Sequence, residues 1–140
     1  MLISLNSSAP SSKIVLGVDD APENLLLLQG AVKAGGYTFM SAVSGSECLT
    51  LLTRVVPRLI LLDIQMPVMN GFETCRQIRA IPELRSIPIA FLTASKTAED
   101  VRRCLAVGGN DFIVKPFDLA KLLDRIRHWT STRITAAQAA

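Results

Sequence analysis

The chain has 140 residues, enough for one domain with a substantial core, and its 49% hydrophobic content excludes a disordered segment. Its net charge of +3 comes without a Lys/Arg block, a recognition-helix pattern or zinc-finger spacing, which argues against direct nucleic-acid binding. No apolar run is long enough to cross a bilayer, and Met1 to Ser12 lacks the basic start of a signal peptide.

Residues 1–12, rich in Ser with Asn and Pro, are expected to form a flexible lead-in. Lys13 to Val18 is a short β-branched run that ends in Asp19-Asp20, and Pro22 stands where a helix would begin. Leu25, Leu28 and Val32 repeat at helical spacing until Gly35-Gly36. Tyr37 to Val43 reads as a second strand. Ser44 with Glu47 forms a capping box, and Cys48, Leu51, Leu52 and Val55 give the next helix its apolar stripe before Pro57. The run Leu59-Ile60-Leu61-Leu62 is continuously apolar, as befits a strand covered on both faces, and Asp63 stands at its exit. Pro67 and Asn70-Gly71 mark a turn-rich loop beyond it.

Phe72, Cys75 and Ile78 then mark a third helix that stops near Pro82, and Ile87 to Thr93 is a fourth apolar strand. A fourth helix is expected from about Thr97 to Val107, followed by Gly108-Gly109. Phe112-Ile113-Val114 is a fifth strand that runs straight into Lys115-Pro116. Asp118 caps a last helix with Leu119, Leu122, Leu123, Ile126 and Trp129 on one face. Residues 130–140 carry no apolar periodicity and are expected to be a flexible tail or the start of a linker. Cys48, Cys75 and Cys104 lack metal-type spacing and read as small reduced core residues of a cytoplasmic protein.

Five strand–helix alternations predict an α/β fold, a doubly wound parallel sheet with helices on both faces and right-handed crossovers. Asp19 and Asp20, Asp63, Thr93 and Lys115 then share the edge where such sheets bind ligands. Each of these residues alone has an ordinary explanation as a cap, a turn or a surface charge. Together they place three carboxylates opposite a hydroxyl and an ammonium. Carboxylates so close need a proton or a cation, and a hard ion such as Mg²⁺ suits oxygen donors of this kind. A carboxylate is also a competent nucleophile toward phosphorus.

Val18-Asp19-Asp20 with Pro22, Asp63 with Met66-Pro67 and Asn70-Gly71, Thr93-Ala94, and Lys115-Pro116-Phe117 together resemble the receiver domain of two-component response regulators. The resemblance covers residues 13–129 and implies a flavodoxin-like (βα)5 fold with strand order 2-1-3-4-5. It implies that Asp63 is the phospho-acceptor, that Asp20 binds Mg²⁺ directly, and that Asp19 helps hold the ion. Mn²⁺ is a substitute of the same class. Gln65 would add its backbone carbonyl, Thr93 and the amide of Ala94 would meet the phosphoryl group, and Lys115 would pair with it. A cis peptide bond at Lys115-Pro116 is expected from the same source. Phe112 stands where many receivers carry a switching Tyr, so no aromatic hydroxyl is available there.

The implied partners are a sensor histidine kinase or a histidine phosphotransfer protein, and a downstream protein target or an output domain outside these residues. The only histidine, His128, lies near the end of the last helix and reads as solvated. A homodimer through the fourth helix, fifth strand and fifth helix is a secondary expectation. The implied activity is that of a signalling module that catalyses only its own phosphorylation and dephosphorylation, with Gln65 and Ser95 tuning the phosphate's lifetime. The rival readings are a phosphate-independent interaction scaffold, a flavin carrier, disfavoured because Asp19-Asp20 would repel the flavin phosphate, and a small phosphatase, whose aspartate nucleophile would more naturally follow the first strand.

Overall fold

The computed structural model describes residues 13–131. The expected lead-in, residues 1–12, and most of the expected tail, residues 132–140, lie outside them. Five strands form one parallel sheet: β1 Ile14–Val18, β2 Thr38–Ala42, β3 Leu59–Asp63, β4 Ile89–Thr93 and β5 Asp111–Val114. Their order is 2-1-3-4-5, as the resemblance implied. The helices are α1 Pro22–Ala34, α2 Gly45–Leu51, α3 Gly71–Arg79, α4 Ala98–Ala106 and α5 Leu119–Ser131, with a short 3-10 turn at Pro82–Leu84.

Successive strand side chains point to opposite faces, so each central strand feeds two cores. Val15, Leu59, Leu61, Ala90, Leu92 and Ile113 face α1 and α5, where they meet Leu28, Ala31, Val32, Leu122 and Ile126. Leu16, Val18, Ile60, Leu62, Ile89 and Phe91 face the other layer and pack on Cys48, Phe72, Cys75, Ile78 and Cys104. Double coverage is why β3 carries no polar residue before Asp63, and all five of its residues are buried. Burying each Leu or Ile contributes about 1.5–3 kcal/mol, so the sheet centre is a firm platform for what stands at its edge.

The helix starts follow the sequence closely. Pro22 begins α1, the Ser44 hydroxyl accepts from the Glu47 amide at 3.0 Å, and Glu47 returns a bond to the Val43 amide at 2.8 Å. At the close of α1, Gly36 sits at φ +85°, a conformation that favours glycine. Two helix ends differ from expectation. The α2 helix stops at Leu51, short of Val55, because the chain passes into turns in which the Thr53 hydroxyl donates to the Thr50 carbonyl at 2.7 Å. The α5 helix runs past Trp129 to Ser131. There the buried Thr130 hydroxyl donates to the Ile126 carbonyl at 2.6 Å, and Arg58 Nη1 donates to the Thr130 carbonyl at 3.1 Å. Thr130 and Ser131 therefore continue the last helix, with Thr130 buried.

The three cysteines are free and buried. Burial pushes the Cys48 thiol up to about 12 and the Cys75 thiol to about 11. Among the described residues no helix is long and apolar enough to cross a membrane.

Candidate functional site

The sheet register brings the polar strand ends together. Val18 lies beside Leu62, Asp63 beside Leu92, and Thr93 beside Val114, so Asp19, Asp63, Thr93 and Lys115 leave the sheet at one edge. At this edge β1 lies between β2 and β3, and the crossover changes direction there, which opens the crevice of a doubly wound sheet. Oxygen atoms of Asp19, Asp20 and Asp63 all lie within 4.8 Å of one another. Asp19 and Asp63 are buried, and Asp20 is exposed.

Lys115 is the cation of this cluster. Its Nζ donates to Asp63 Oδ1 at 2.9 Å and lies 3.3 Å from Asp19 Oδ2. Asp19 is held from two further directions, by the Ala21 amide at 2.9 Å and by Asn24 Nδ2 at 3.1 Å. Asn24 was not among the sequence candidates. Its only signal is a polar residue five positions after Asp19, immediately ahead of a run of leucines.

Burial drives the Asp63 carboxyl above its ordinary 3.8, and the negative charges of Asp19 and Asp20 add to that. The Lys115 hydrogen bond and charge oppose the rise without cancelling it. Burial also pulls on Lys115, but its bonds and charge pairing with Asp63 and Asp19 more than offset that and hold its ammonium above 10.5. One ammonium among three carboxylates leaves the edge short of positive charge. The donor set is all oxygen, part buried and part open to solvent, and it fits a hard divalent ion that keeps several waters.

The loop after β3 is folded tightly under Asp63. The Ile64 amide donates to the Leu92 carbonyl at 3.2 Å, and the Gly71 amide donates to the Ile64 carbonyl at 2.9 Å. A Cβ on Gly71 would collide with the carbonyl oxygen of Asp63 and approach Ile64 Cα at 2.8 Å, so only glycine allows this crossing. Asn70, read from sequence as a turn residue, caps α3 by accepting from the Glu73 amide at 3.0 Å. Gln65 is exposed on this loop, and Val68 at its tip adopts φ +70°.

Across the edge, Thr93 does not point its hydroxyl at the carboxylates. It donates to the Ser95 carbonyl at 3.0 Å and accepts from the Ser95 amide at 3.0 Å. Ala94 is exposed beside it. Phe112 is half-buried and packs on the core layer that contains Phe72 and Phe91. The Lys115-Pro116 peptide bond is cis. On the α4 side, the Arg103 guanidinium lies 4.4 Å over the Phe72 ring, a contact between α4 and α3 that the sequence did not signal.

A family model described as the response regulator receiver domain matches residues 15–127. The response regulator PleD of Caulobacter vibrioides is 36% identical over 120 residues, which cover 86% of this chain and 26% of PleD. The chain therefore spans about a quarter of that relative's length. The chemotaxis protein CheY4 of Vibrio cholerae has a similar structure, with a TM-score of 0.80 at 30% identity, covering 84% of this chain and 98% of that one. The receiver domain of the sensor histidine kinase PA1611 from Pseudomonas aeruginosa PAO1 gives a TM-score of 0.79 at 30% identity, covering 87% of this chain and 100% of that one. That structure has a magnesium ion coordinated in its active site cleft.

Proposed function

Since the chain belongs to the receiver-domain family of two-component response regulators, we propose that it accepts a phosphoryl group on Asp63 and relays that event through its α4–β5–α5 face. The observation that carries this reading is the buried Asp63 carboxylate, bonded to Lys115 at 2.9 Å with Asp19 and Asp20 in reach. An Asp63 oxygen forms the new bond to phosphorus while the donor's P–N bond breaks and its electron pair returns to the histidine. Lys115 then pairs with a phosphoryl oxygen, which keeps the transferred charge partnered.

Asp19, Asp20, Asp63 and the Gln65 backbone carbonyl would hold Mg²⁺, or Mn²⁺ in its place. When bound, the ion supplies charge neutralisation for the phosphoryl oxygens. Asn24 and the Ala21 amide hold Asp19 in orientation for that task.

Phosphorylation offers acceptor oxygens to the Thr93 hydroxyl and the Ala94 amide, and the β4–α4 loop moves inward. Phe112 then turns into the vacated space as a packing switch. The donor histidine belongs to a partner, a sensor kinase or a phosphotransfer protein. His128 lies on the last turn of α5, edge-on to Trp129 with ring centroids 4.8 Å apart, and takes no part. The receiver unit extends over residues 13–131 and acts in the cytoplasm as a signalling module, not as a metabolic enzyme. The switched face controls a downstream protein or an output domain, and a second copy of the chain is a further occupant for it. Borohydride reduction of the phosphorylated protein tests the acceptor directly. Homoserine at position 63 is the expected product, and homoserine elsewhere refutes the assignment.

A further inference from the structure

Thr93 has one hydroxyl proton, and in this structure it is already committed. The hydroxyl donates to the Ser95 carbonyl and accepts from the Ser95 amide, each at 3.0 Å, so it cannot serve a phosphoryl group without leaving Ser95. Ser95 is itself tied down. Its Oγ lies 3.4 Å from both Thr97 Oγ1 and the Thr97 amide. Thr97 in turn caps α4, with Oγ1 accepting from the Asp100 amide at 3.2 Å. The hydroxyls of Ser95 and Thr97 also hold the Asp100 carboxyl below its ordinary range, with Arg103 adding to the effect. The chain of contacts runs from the strand end to the first turn of α4 without a break.

We infer that Ser95 is a positioning residue: its hydroxyl, anchored by Thr97 at the start of α4, fixes the backbone that detains the Thr93 hydroxyl and so opposes the activated form. This goes one step beyond the phospho-acceptor reading, on which it rests. Nothing else among the described contacts of Thr93's hydroxyl holds it back, since both of its hydrogen bonds go to Ser95. The restraint also makes the geometry of α4 an input to the site. A partner that shifts the first turn of α4 would loosen Ser95 and release Thr93, and the coupling runs equally in the other direction.

The test uses beryllofluoride with Mg²⁺ as a phosphoryl mimic on the intact chain. Ser95→Ala removes the anchoring hydroxyl and leaves the Thr93 side chain in place. It should bind beryllofluoride about three- to tenfold more tightly, the net worth of the lost Ser95–Thr97 side-chain tether, while the backbone of residue 95 still has to release Thr93. Ser95→Thr keeps a hydroxyl and should return to the wild-type affinity. In the absence of mimic, the Thr93 methyl resonance of Ser95→Ala should move toward its position in the bound wild type.

Unchanged or weaker binding by Ser95→Ala, with wild-type protein binding normally, overturns the restraint and leaves the acceptor reading intact. A wild-type chain that fails to bind the mimic through Asp63 overturns both.

Discussion

Lys115 Nζ stands 2.9 Å from Oδ1 of Asp63, and this pair decides how a buried carboxylate survives beside two others. The ammonium also reaches Asp19 at 3.3 Å, so the two buried acids share a single cation. Removing one partner of such a cluster leaves charge uncompensated. Lys115→Met should therefore lower stability at neutral pH by about 2 kcal/mol, reduced from the fully buried case because Lys115 is partly solvated. Urea unfolding measures the loss. Millimolar Mg²⁺ should restore most of it, and a variant that Mg²⁺ leaves unchanged would count against the cation site.

Asp63 carries a folding cost that pH reveals. Between 3.8 and its own raised value, the folded chain holds a proton that the unfolded chain has lost. The associated stability is complete below 3.8 and is lost as pH rises through the folded value. Asp63→Asn mimics the protonated acid, so it should melt higher than wild type at pH 7 in the absence of divalent ions. The gap should close as pH falls below about 4, where the wild-type acid is protonated in both states. Thermal scans at several pH values decide this, and equal melting at pH 7 would contradict it.

The Gly71 crossing sets the position of the Asp63 backbone. Gly71→Ala would force the β3–α3 loop off Asp63 and Ile64, against backbone that has little room to shift. A loss of about 1–3 kcal/mol is expected, with Mg²⁺ affinity falling alongside it. Gly36→Ala, in open space on a surface turn, should cost about 1 kcal/mol from its positive φ and leave Mg²⁺ affinity alone. Titration calorimetry separates the two.

The places of Asp63 and Lys115 at the sheet edge were legible because they follow from where apolar runs end and polar residues begin, whereas the strand order came from the family resemblance. The continuous apolar stretch before Asp63 fixes a central strand, and alternation with helices fixes the layers. What escaped depends on rotamers. Asn24 reads as a surface helix residue until its amide is seen on Asp19, and Arg103 reads as solvated until its stack on Phe72 is seen. Thr93 was expected to face the carboxylates, but a local turn with Ser95 competes for its hydroxyl. The α2 end was misjudged because Leu52 and Val55 continue the apolar spacing, while the hydroxyl of Thr53 turns the chain first.

The buried thiols predict an alkaline weakness. Cys48 ionises near 9.0 in the unfolded chain and about 12 in the fold, so its contribution is whole below 9 and is lost across that interval. Its share of the slope is about 1.4 kcal/mol per pH unit. Cys48→Ala, compared with wild type by denaturant unfolding from pH 8 to 11, should show a shallower decline. An identical decline would mean that the thiol ionises without cost. In the native state at pH 8, none of the three cysteines should react rapidly with a thiol reagent.

The acceptor chemistry is tested most directly by intact mass after incubation with Mg²⁺ and a small acyl phosphate, beside an Asp63→Ala control. The account predicts a gain of one phosphoryl group in the wild-type chain that needs both Mg²⁺ and Asp63. A gain that persists in Asp63→Ala, or that forms equally well in the presence of a chelator, would contradict it.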